Sequence, residues 1–384
     1  MTSAATASAP IYLDHHSTTP VDPEVLTAML PYFTQEFGNP SNRTHGYGRR
    51  ASAAVEEARE QVAEALGARY SEIHFTSGAT ESNAIALQGI ARRHPGAHLV
   101  TSAIEHRAVL DTMRRLAGEG WQLTVLPVDR HGFVDPDDVA RALRKETVLV
   151  SIMAANNEIG TIEPLAAIGR IARESSALFH VDAAQAPGRM VLDVEAMAID
   201  LLSLSAHKLY GPKGVGALFV RRGTEIDALT DGGGQERGLR PGTLNVPGIV
   251  GLGAAFARTL RTMDEDIAHM RALRDHLQER LLALGGVTVN GPLQERLVAN
   301  LNVTIDGVQP DALLLGLPEL ALSAGAACSS SQAKASHVLE AIGAGGTEHA
   351  AVLRFGIGRG NTREEIEQAA VLLETCIERL RGCG

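Results

Sequence analysis

The sequence predicts an α/β protein that has a large domain built on a mainly parallel sheet and a smaller α+β domain. Short apolar runs alternate with longer segments of helical period between about residues 72 and 220, which is the pattern of parallel strands joined by crossover helices. Several of these runs are apolar at every position, as expected for strands that helices cover on both faces. A chain of 384 residues is also long enough to form two or three domains.

The individual elements follow from the same patterns, taken in chain order. The predicted strands of the large domain lie at 73–75, 99–102, 123–126, 148–152, 178–181, 201–203 and 216–220, and the predicted helices at 82–92, 108–118, 136–144, 164–175 and 194–197. After a passage rich in Gly and Pro at 231–242, the sequence predicts a long helix at 248–283, strands at 287–289, 301–305 and 354–357, and a closing helix at 363–380. We therefore expect the large domain at 16–255 and the small domain at 1–15 and 256–384, including a loop at about 323–335.

Composition and charge disfavour several classes of protein. The chain has 45 acidic and 35 basic residues and a net charge of -10, which argues against nucleic acid and membranes as partners because both are bound through clustered Lys and Arg. Its 45% hydrophobic and 21% charged residues indicate a globular protein rather than a disordered one. The chain has three cysteines, no signal-like leader in its first ten residues and no uninterrupted apolar stretch of about 20 residues, which predicts a cytoplasmic protein without a membrane segment.

Candidate functional residues follow the strands, because ligands of open α/β sheets bind beyond the carboxyl ends of the strands. The segment 76–82 consists mostly of small and hydroxyl residues, among them Ala79 and Thr80, at the start of a predicted helix. A helix start offers unpaired N–H groups and the positive end of the helix dipole, so it can hold a phosphate group. Taken alone, the same residues are also typical of an ordinary Ser/Thr helix cap.

Other strand ends carry chemically active side chains. His106 and Asn157 follow the second and fourth predicted strands, Asp182 follows the fifth, and Lys208 follows the sixth. Asp182 can cap the next helix or pair with a protonated ring nitrogen. Lys208 can be a solvated surface residue or the amine of a Schiff base. Together, a phosphate site, a carboxylate, an amine and a group above a ring are what pyridoxal phosphate requires.

The chain carries four ordered motifs, namely TSGATES at 76–82, NNEIG at 156–160, HVDAAQ at 180–185 and SAHKLYGPKG at 205–214. These motifs closely resemble those of the cysteine desulfurases of the NifS/IscS group, which belong to the class V aminotransferase family. The resemblance begins at residues 11–20 and 37–40 and continues to about residue 362. It implies the α/β fold called type I among transferases that depend on pyridoxal phosphate.

The resemblance also implies a role for each matching residue. Lys208 would bond the cofactor aldehyde and later move the substrate α-proton, while Asp182 would hold the pyridinium nitrogen. His106 would stack over the ring and take part in proton transfer. The remaining cofactor contacts would come from Ala79, Thr80, Asn157, Gln185, Ser205, His207 and Thr243, of which Thr80, Ser205 and His207 would hold the phosphate.

Two further matches concern the partner subunit and the substrate. In the family, the threonine that Thr243 matches reaches the phosphate bound in the neighbouring subunit, which implies a homodimer with shared active sites. Arg354 matches the arginine that clamps the substrate carboxylate, a task suited to its bidentate guanidinium group, and Asn157 would contact the substrate as well.

The three cysteines differ in their surroundings. Cys376 has helical spacing to apolar neighbours and is expected to pack in the core, and no role is expected for Cys383 near the chain end. Cys328 lies among small and polar residues, where the sequence alone leaves an incidental and a nucleophilic role open. The resemblance matches it to the cysteine that forms a persulfide, although Ala324 and Ala326 stand where many relatives have serine.

These roles imply a cysteine desulfurase that converts L-cysteine to L-alanine, holds the sulfur as a persulfide on Cys328 and passes it to an acceptor protein for iron–sulfur cluster assembly or other thio-cofactors. A selenocysteine/cysteine lyase or an aminotransferase would use the same cofactor and leave Cys328 incidental. A scaffold that has lost catalysis is disfavoured because Lys208, Asp182 and Cys328 are all present. A dinucleotide fingerprint at 46–51 follows no predicted strand, and the histidine pair at 15–16 lacks a spaced partner, so neither a nicotinamide nor a metal site is expected.

Overall fold

The computed structural model describes residues 9–324, 336–344 and 350–382. The strands in these ranges are β1 (Ile11–Tyr12), β2 (Ile73–Thr76), β3 (His98–Ser102), β4 (Gln122–Leu126), β5 (Thr147–Ser151), β6 (Leu178–Asp182), β7 (Leu201–Ser205), β8 (Gly216–Val220), β9 (Val287–Val289), β10 (Asn300–Asp306), β11 (Leu320–Ala321), β12 (Ser323–Ala324) and β13 (Ala350–Gly356). The α-helices are α1 (Pro23–Met29), α2 (Pro31–Thr34), α3 (Gly46–Leu66), α4 (Ala79–Arg93), α5 (Arg107–Gly118), α6 (Pro136–Ala142), α7 (Leu165–Glu174), α8 (Val246–Ala283), α9 (Pro310–Leu315), α10 (His337–Ala341) and α11 (Arg363–Gly382). Short 3-10 helices lie at Tyr70–Glu72, Ala206–Lys208 and Gln235–Gly238.

Seven strands form the larger sheet, in the order β2-β8-β7-β6-β5-β3-β4. All neighbouring pairs are parallel except those of β8, which runs antiparallel to both β2 and β7. The other six strands share one direction, so their carboxyl ends meet at one edge of the sheet. The seven predicted strands all form, and the predicted α/β class with a mainly parallel sheet is confirmed.

Buried polar side chains cross-link the centre of this sheet. His180 on β6 bonds the hydroxyl of Ser151 on β5 through Nδ1 (2.8 Å) and that of Ser203 on β7 through Nε2 (3.0 Å). Burial lowers the pKa of His180 to about 3, so the ring is neutral at physiological pH. With both ring nitrogens bonded, the histidine holds three strands together, and candidate functional residues follow all three.

The helices depart from the sequence patterns in two ways. The patterns contain no prediction for α1, α2, α3, α9 and α10. The predicted helix at 194–197 is wrong, because these residues form a single turn. Asp193 accepts the N–H groups of Glu195 and Ala196, both at 2.9 Å. Ala198 then adopts a left-handed φ of 55°, which ends the turn before β7 begins.

The smaller sheet has the order β12-β13-β10-β9 and is antiparallel throughout. It carries its own hydrophobic core, and helix α8 contributes both to this core and to one core of the large sheet. Val246, Ile249 and Leu252 of α8 pack in the core of the large sheet, whereas Leu273 and Leu277 pack in that of the small sheet. The predicted domain boundary falls inside α8, and it stays a prediction. No helix in the described ranges combines the length and the apolar character needed to cross a membrane.

Candidate active site

A cavity of about 680 Å³ lies at the carboxyl edge of the large sheet. It brings together most of the residues that the sequence predicts for the site. Those that line it are Ala79, Thr80, His106, Asn157, Asp182, Gln185, Ser205, His207, Lys208 and Arg354. Residues that follow β2, β3, β5, β6 and β7 thus meet one residue from the small sheet.

Lys208 ends the short 3-10 helix that follows β7, and its side chain is half-buried. Its Nζ donates to the backbone oxygen of Ser17 at 2.8 Å and to that of His16. Burial, together with the positive charges of Arg189 and Arg354, lowers the pKa of Lys208 to about 7. At neutral pH a substantial fraction of this amine is therefore unprotonated, the form that acts as a nucleophile or a base.

Asp182 is the last residue of β6, and turns rather than a helix follow it, so it caps no helix, while its pairing with a ring nitrogen stays a prediction. Its Oδ1 accepts the N–H of Ala184 at 3.0 Å, which is a local contact within the turn. Its Oδ2 accepts a hydrogen bond of 2.7 Å from the side-chain amide of Asn83. Only 5% of Asp182 is exposed, yet the residue lines the cavity, so a carboxylate is presented to a ligand there.

The start of helix α4 forms another wall of the cavity. Its N-cap is Gly78, so no hydroxyl side chain occupies the cap position, and the ordinary Ser/Thr cap considered above is not what forms. Ala79 and Thr80 are the first two residues of the helix, whose opening N–H groups have no intrahelical partner. A Cβ built on Gly78 would lie 3.6 Å from the hydroxyl of Ser205, which shows how closely β7 approaches this turn. The helix start is therefore suited to an anionic ligand.

His207 lies between the helix start and Lys208 in the cavity wall. Its Nδ1 is 3.1 Å from the hydroxyl of Thr18. Burial lowers the pKa of His207 to about 4, and Lys208 and Lys213 contribute in the same direction. The ring is therefore neutral and acts as a hydrogen-bonding group rather than as a cation.

Gln185 and His16 form a reciprocal pair beneath Lys208. Nε2 of Gln185 donates to the backbone oxygen of His16 at 2.9 Å, and its Oε1 is 3.0 Å from Nδ1 of His16. Because an amide oxygen only accepts, Nδ1 of His16 carries the proton. Burial and the charge of Arg189 hold the pKa of His16 well below its usual range, so this ring is also neutral. In this structure Gln185 thus orients His16, a residue that the sequence singled out only as a rejected metal ligand.

His106 is an exposed residue at the mouth of the cavity. It is the N-cap of α5, and its Nδ1 accepts the N–H of Ala108 at 3.1 Å. The cap fixes one ring nitrogen as an acceptor and leaves Nε2 as the other polar atom of the ring. Stacking over a cofactor ring stays a prediction.

Arg354 lies on β13, directly opposite Ser323 of β12. Its Nη2 donates to Oδ1 of Asp14 (2.8 Å) and to the hydroxyls of Ser17 (2.8 Å) and Ser323 (3.0 Å), and its Nη1 to the backbone oxygen of Asn157 (3.2 Å). Its Nε is buried and has no hydrogen-bond partner among the described residues. The guanidinium is thus held in place and retains an unused donor for a carboxylate.

Two of the predicted site residues are not among the residues that line the described cavity. Thr243 is exposed and is not part of the cavity wall, although nearby Arg240 bonds Glu81 at the start of α4 (3.1 Å). Cys328 lies outside the described residues, as does Cys383. Cys376 is a buried free thiol in the core of the small sheet, and its predicted packing role is confirmed.

Sequence reasoning missed several polar residues of the site. Asn83 lies inside a helix, and Asp14, Ser17 and Ser323 meet Arg354 only through contacts between distant parts of the chain. Glu105 is fully buried, and burial raises its pKa well above the usual range. The place of Glu105 after a strand was the one available signal. No group of three or more His, Cys, Asp or Glu within the described ranges is arranged to hold a metal ion.

The chain is similar to known proteins over almost its whole length. The family model for class-V aminotransferases matches residues 11–369. A cysteine desulfurase IscS of Anaeromyxobacter dehalogenans is 49% identical over 377 residues, which cover 97% of this chain and 93% of that protein. The solved structure of a NifS-like protein superposes with a TM-score of 0.89 at 38% identity and covers 97% of this chain and 99% of its own. A structure of SspA in complex with cysteine superposes with a TM-score of 0.80 at 38% identity and covers 91% and 99%.

These similarities extend across both sheets and include the predicted motifs of the cavity wall. They confirm the resemblance derived from the motifs, and the NifS-like neighbours confirm the predicted fold class. The chain belongs to the class-V aminotransferase family, in the group of NifS- and IscS-like cysteine desulfurases.

Proposed function

We propose that the protein is a cysteine desulfurase that depends on pyridoxal phosphate, converts L-cysteine to L-alanine and holds the sulfur as a persulfide on Cys328. The observation that carries the proposal is the amine of Lys208, with its pKa lowered to about 7, in one cavity with the carboxylate of Asp182, the uncapped start of α4 and Arg354. The relatives named cysteine desulfurase support the same activity.

The described residues fit the proposed cofactor at each of its polar groups. The start of α4, with Ala79 and Thr80, would hold the phosphate together with Ser205 and His207. Asp182 would hold the ring nitrogen, and Lys208 would bond the aldehyde. The other family contacts, Asn157 and Gln185, line the same cavity. The class-V aminotransferase family as a whole depends on this cofactor, which agrees with the fit.

When bound, pyridoxal phosphate supplies an aldehyde and an electron-withdrawing ring that stabilises negative charge at the substrate α-carbon. Lys208 has a lowered pKa, so at neutral pH its amine can accept the α-proton without a large energetic cost. The carboxyl group of Asp182, which lines the same cavity, would pair with a protonated ring nitrogen. His106, which lines the same cavity, would move a proton to or from the leaving sulfur or the product carbon.

Arg354 would bind the substrate carboxylate. Its buried Nε is without a partner among the described residues, and hydroxyl groups at Nη2 are weaker acceptors than a carboxylate, so an incoming carboxylate can replace them. Asn157 bonds Arg354 through its backbone oxygen and lines the same cavity, which supports its side chain as a second substrate contact. Binding by this pair would fix the substrate between the two sheets.

The thiolate form of Cys328 would receive the sulfur. The C–S bond of L-cysteine breaks with its electron pair left on carbon, an S–S bond forms on Cys328, and the carbon takes up a proton to give L-alanine. The support for Cys328 is its position in the sequence, among the small and polar residues of the segment 323–332. The persulfide then passes its outer sulfur to an acceptor protein, for iron–sulfur cluster assembly or another thio-cofactor.

A homodimer and a cytoplasmic location complete the proposal. Thr243 is exposed and outside the cavity of its own chain, as expected for a residue that completes the site of a partner subunit. The ion pair of Arg240 with Glu81 holds the loop before Thr243 beside the start of α4. No described helix fits a membrane span, which agrees with the proposed location.

The deciding experiment follows both products of one turnover. The protein loaded with pyridoxal phosphate is mixed with L-cysteine, L-alanine is quantified, and the persulfide is located by alkylation and mass spectrometry. We expect one persulfide on Cys328 for each alanine formed before an acceptor or reductant is added. Cys328→Ser and Lys208→Ala should both abolish alanine formation, and Cys376→Ser, the matched thiol control in the core, should leave it unchanged.

Other products would contradict this assignment. Pyruvate and ammonia would indicate a lyase, and a requirement for a keto acid would indicate an aminotransferase. Alanine formation by Cys328→Ser at the parental rate would show that Cys328 is incidental. A much higher rate with L-selenocysteine than with L-cysteine would assign the protein as a selenocysteine lyase.

A further inference from the structure

We propose that Asn83 is a positioning residue for the cofactor: its amide fixes the carboxylate of Asp182 toward the ring nitrogen and ties that carboxylate to the helix that holds the phosphate. The proposal rests on the function proposed above. It adds to the site a residue from inside a helix, where the motifs gave no role.

The first argument comes from the hydrogen bonds of Asp182. Nδ2 of Asn83 donates to Oδ2 of Asp182 at 2.7 Å, and the N–H of Ala184 donates to Oδ1 at 3.0 Å. A carboxylate only accepts, so the amide group of Asn83 must point its NH2 toward Asp182. With a fixed donor on each oxygen, the carboxylate cannot rotate freely, and its remaining lone pairs keep one direction in the cavity.

The second argument comes from the other half of the Asn83 amide. Asn83 is fully buried, and its Oδ1 has no hydrogen-bond partner among the described residues. A buried acceptor without a partner is destabilising, and an apolar side chain of similar size would avoid this cost. The bond to Asp182 is therefore the interaction that compensates the burial of this side chain, and it benefits the cavity rather than the packing of α4.

The third argument comes from the position of Asn83 on α4. Ala79 and Thr80 open this helix at the proposed phosphate site, and Asn83 follows one turn later, about 6 Å further along the axis. The hydroxyl of Ser82 donates to the backbone oxygen of Ala217 on β8 (3.1 Å). It also lies 2.8 Å from the hydroxyl of Thr76 on β2. These contacts hold the first turn against the sheet, so Asn83 links the phosphate end of the cavity to the ring-nitrogen end through a rigid helix.

The test uses Asn83→Leu and Asn83→Ala, compared with the parent protein. Each protein is reconstituted with pyridoxal phosphate labelled with 15N in the ring, and the 15N chemical shift reports how far the ring nitrogen is protonated. The dissociation constant of the cofactor is measured by titration of the cofactor-free protein, whose melting temperature is recorded separately.

We expect the ring-nitrogen signal of both variants to move toward the unprotonated value and cofactor affinity to fall about tenfold, the loss of one hydrogen bond to a charged group. Asn83→Leu removes the unpaired oxygen but also the donor to the buried Asp182, so its melting temperature should stay close to that of the parent. If the role of Asn83 were purely structural, its substitution would change the melting temperature and leave the 15N signal unchanged.

Asn290→Leu is the matched control. Asn290 is also buried and donates at 2.7 Å, but to Asn302 in the small sheet. The Asn290→Leu variant should have a lower melting temperature than the parent but the same 15N signal and cofactor affinity.

A parental 15N signal and parental affinity in the Asn83 variants would overturn the proposal. If only Asn83→Ala fails to fold, the result with Asn83→Leu decides. Loss of folding in both variants would assign Asn83 to stability and overturn the proposal as well. A parent protein that takes up no pyridoxal phosphate would instead refute the proposed function, so the two failures are distinguishable.

Discussion

The two sheets contribute to the cavity in different ways. The large sheet supplies the amine of Lys208, the carboxyl group of Asp182 and the start of α4, all of which lie at or just beyond the carboxyl ends of its strands. The small sheet supplies Arg354, in the middle of β13, with Ser323 beside it on β12. The large sheet thus supplies the groups proposed to bind the cofactor, here called the cofactor side. The small sheet supplies the group proposed to bind the substrate carboxylate, here called the substrate side.

The segment 14–18 joins these two sets of groups. Its backbone oxygens at His16 and Ser17 accept the Lys208 amine, and the side chains of Asp14 and Ser17 accept from Arg354. One short stretch of chain therefore contacts both the cofactor side and the substrate side. If the two sides are otherwise independent, a change on one should leave binding on the other intact.

Replacement of the carboxylate on the cofactor side should have the largest effect. We expect Asp182→Ala to weaken cofactor binding and to lower kcat/KM by about a thousandfold, because it removes a buried charge that would pair with the ring nitrogen. Cofactor affinity is measured by absorbance titration and activity by alanine formation. Parental cofactor affinity in this variant would break the assignment of the large sheet to the cofactor.

Replacement of the guanidinium on the substrate side should have the next largest effect. We expect Arg354→Ala to lower kcat/KM for L-cysteine about a hundredfold through loss of the charge-assisted bonds to the carboxylate, with cofactor affinity within about twofold of the parent. Arg354→Lys keeps the positive charge but loses the bidentate geometry of the guanidinium group, so its kcat/KM should lie between those of the parent and Arg354→Ala. Loss of the cofactor in Arg354→Ala would show that the two sides are not independent.

The lowered pKa of Lys208 predicts a pH dependence of stability in the cofactor-free protein. The folded protein releases this proton near pH 7, whereas the unfolded chain keeps it up to the ordinary value of 10.5. Between these values the unfolded state binds more protons, so the free energy of unfolding should rise with pH by at most about 1.4 kcal/mol per pH unit from this group.

Urea denaturation between pH 6 and pH 10.5 measures this contribution as the difference between the parent and Lys208→Met. The difference should be nearly flat toward pH 6, change most steeply between about pH 8 and pH 10, and still be changing at pH 10.5. Parallel curves for the two proteins would contradict a lowered pKa of Lys208.

The smallest effect is expected below the cofactor side, at Glu105. Oε1 of Glu105 accepts the hydroxyl of Ser102 and the N–H of Met153, both at 2.8 Å, and burial raises its pKa well above the usual range. Glu105→Gln keeps a neutral group with the same acceptor, so the free energy of unfolding should change by less than about 1 kcal/mol.

Glu105→Ala is the comparison for this change, because it leaves two buried donors unpaired and creates a cavity. It should cost about 2–4 kcal/mol in the same denaturation assay. Equal damage by Gln and Ala would indicate that the carboxyl group is ionised in the folded protein.

Residues at strand ends could be predicted from the sequence, because a parallel sheet collects the ends of its strands at one edge. Asp182, Lys208 and the helix start at Ala79 each follow an apolar run, so their meeting required only the strand pattern. Glu105 followed a run as well, but nothing in the sequence showed that it would be buried with a raised pKa.

Residues that depend on contacts between distant segments could not be predicted in the same way. Asp14 and Ser323 are 309 positions apart and share a hydrogen bond of 2.8 Å, and no periodic pattern encodes such a pair. In the sequence, Asn83 resembles any other polar residue of an amphipathic helix. Its role depends on the packing of α4 against β6, which brings it to Asp182. The false helix at 194–197 failed for a local reason, since the left-handed Ala198 ends a pattern that looked helical.

Helix α8 limits how the cavity can open. It runs for 38 residues, about 57 Å at the usual rise, and is embedded in a hydrophobic core of each sheet. A hinge motion that parted the two sheets would have to bend or unwind this helix and uncover apolar surface at each end. Separation of the two sheets as rigid bodies is therefore costly, so local rearrangements at the mouth are the less costly route for amino acid entry and product exit.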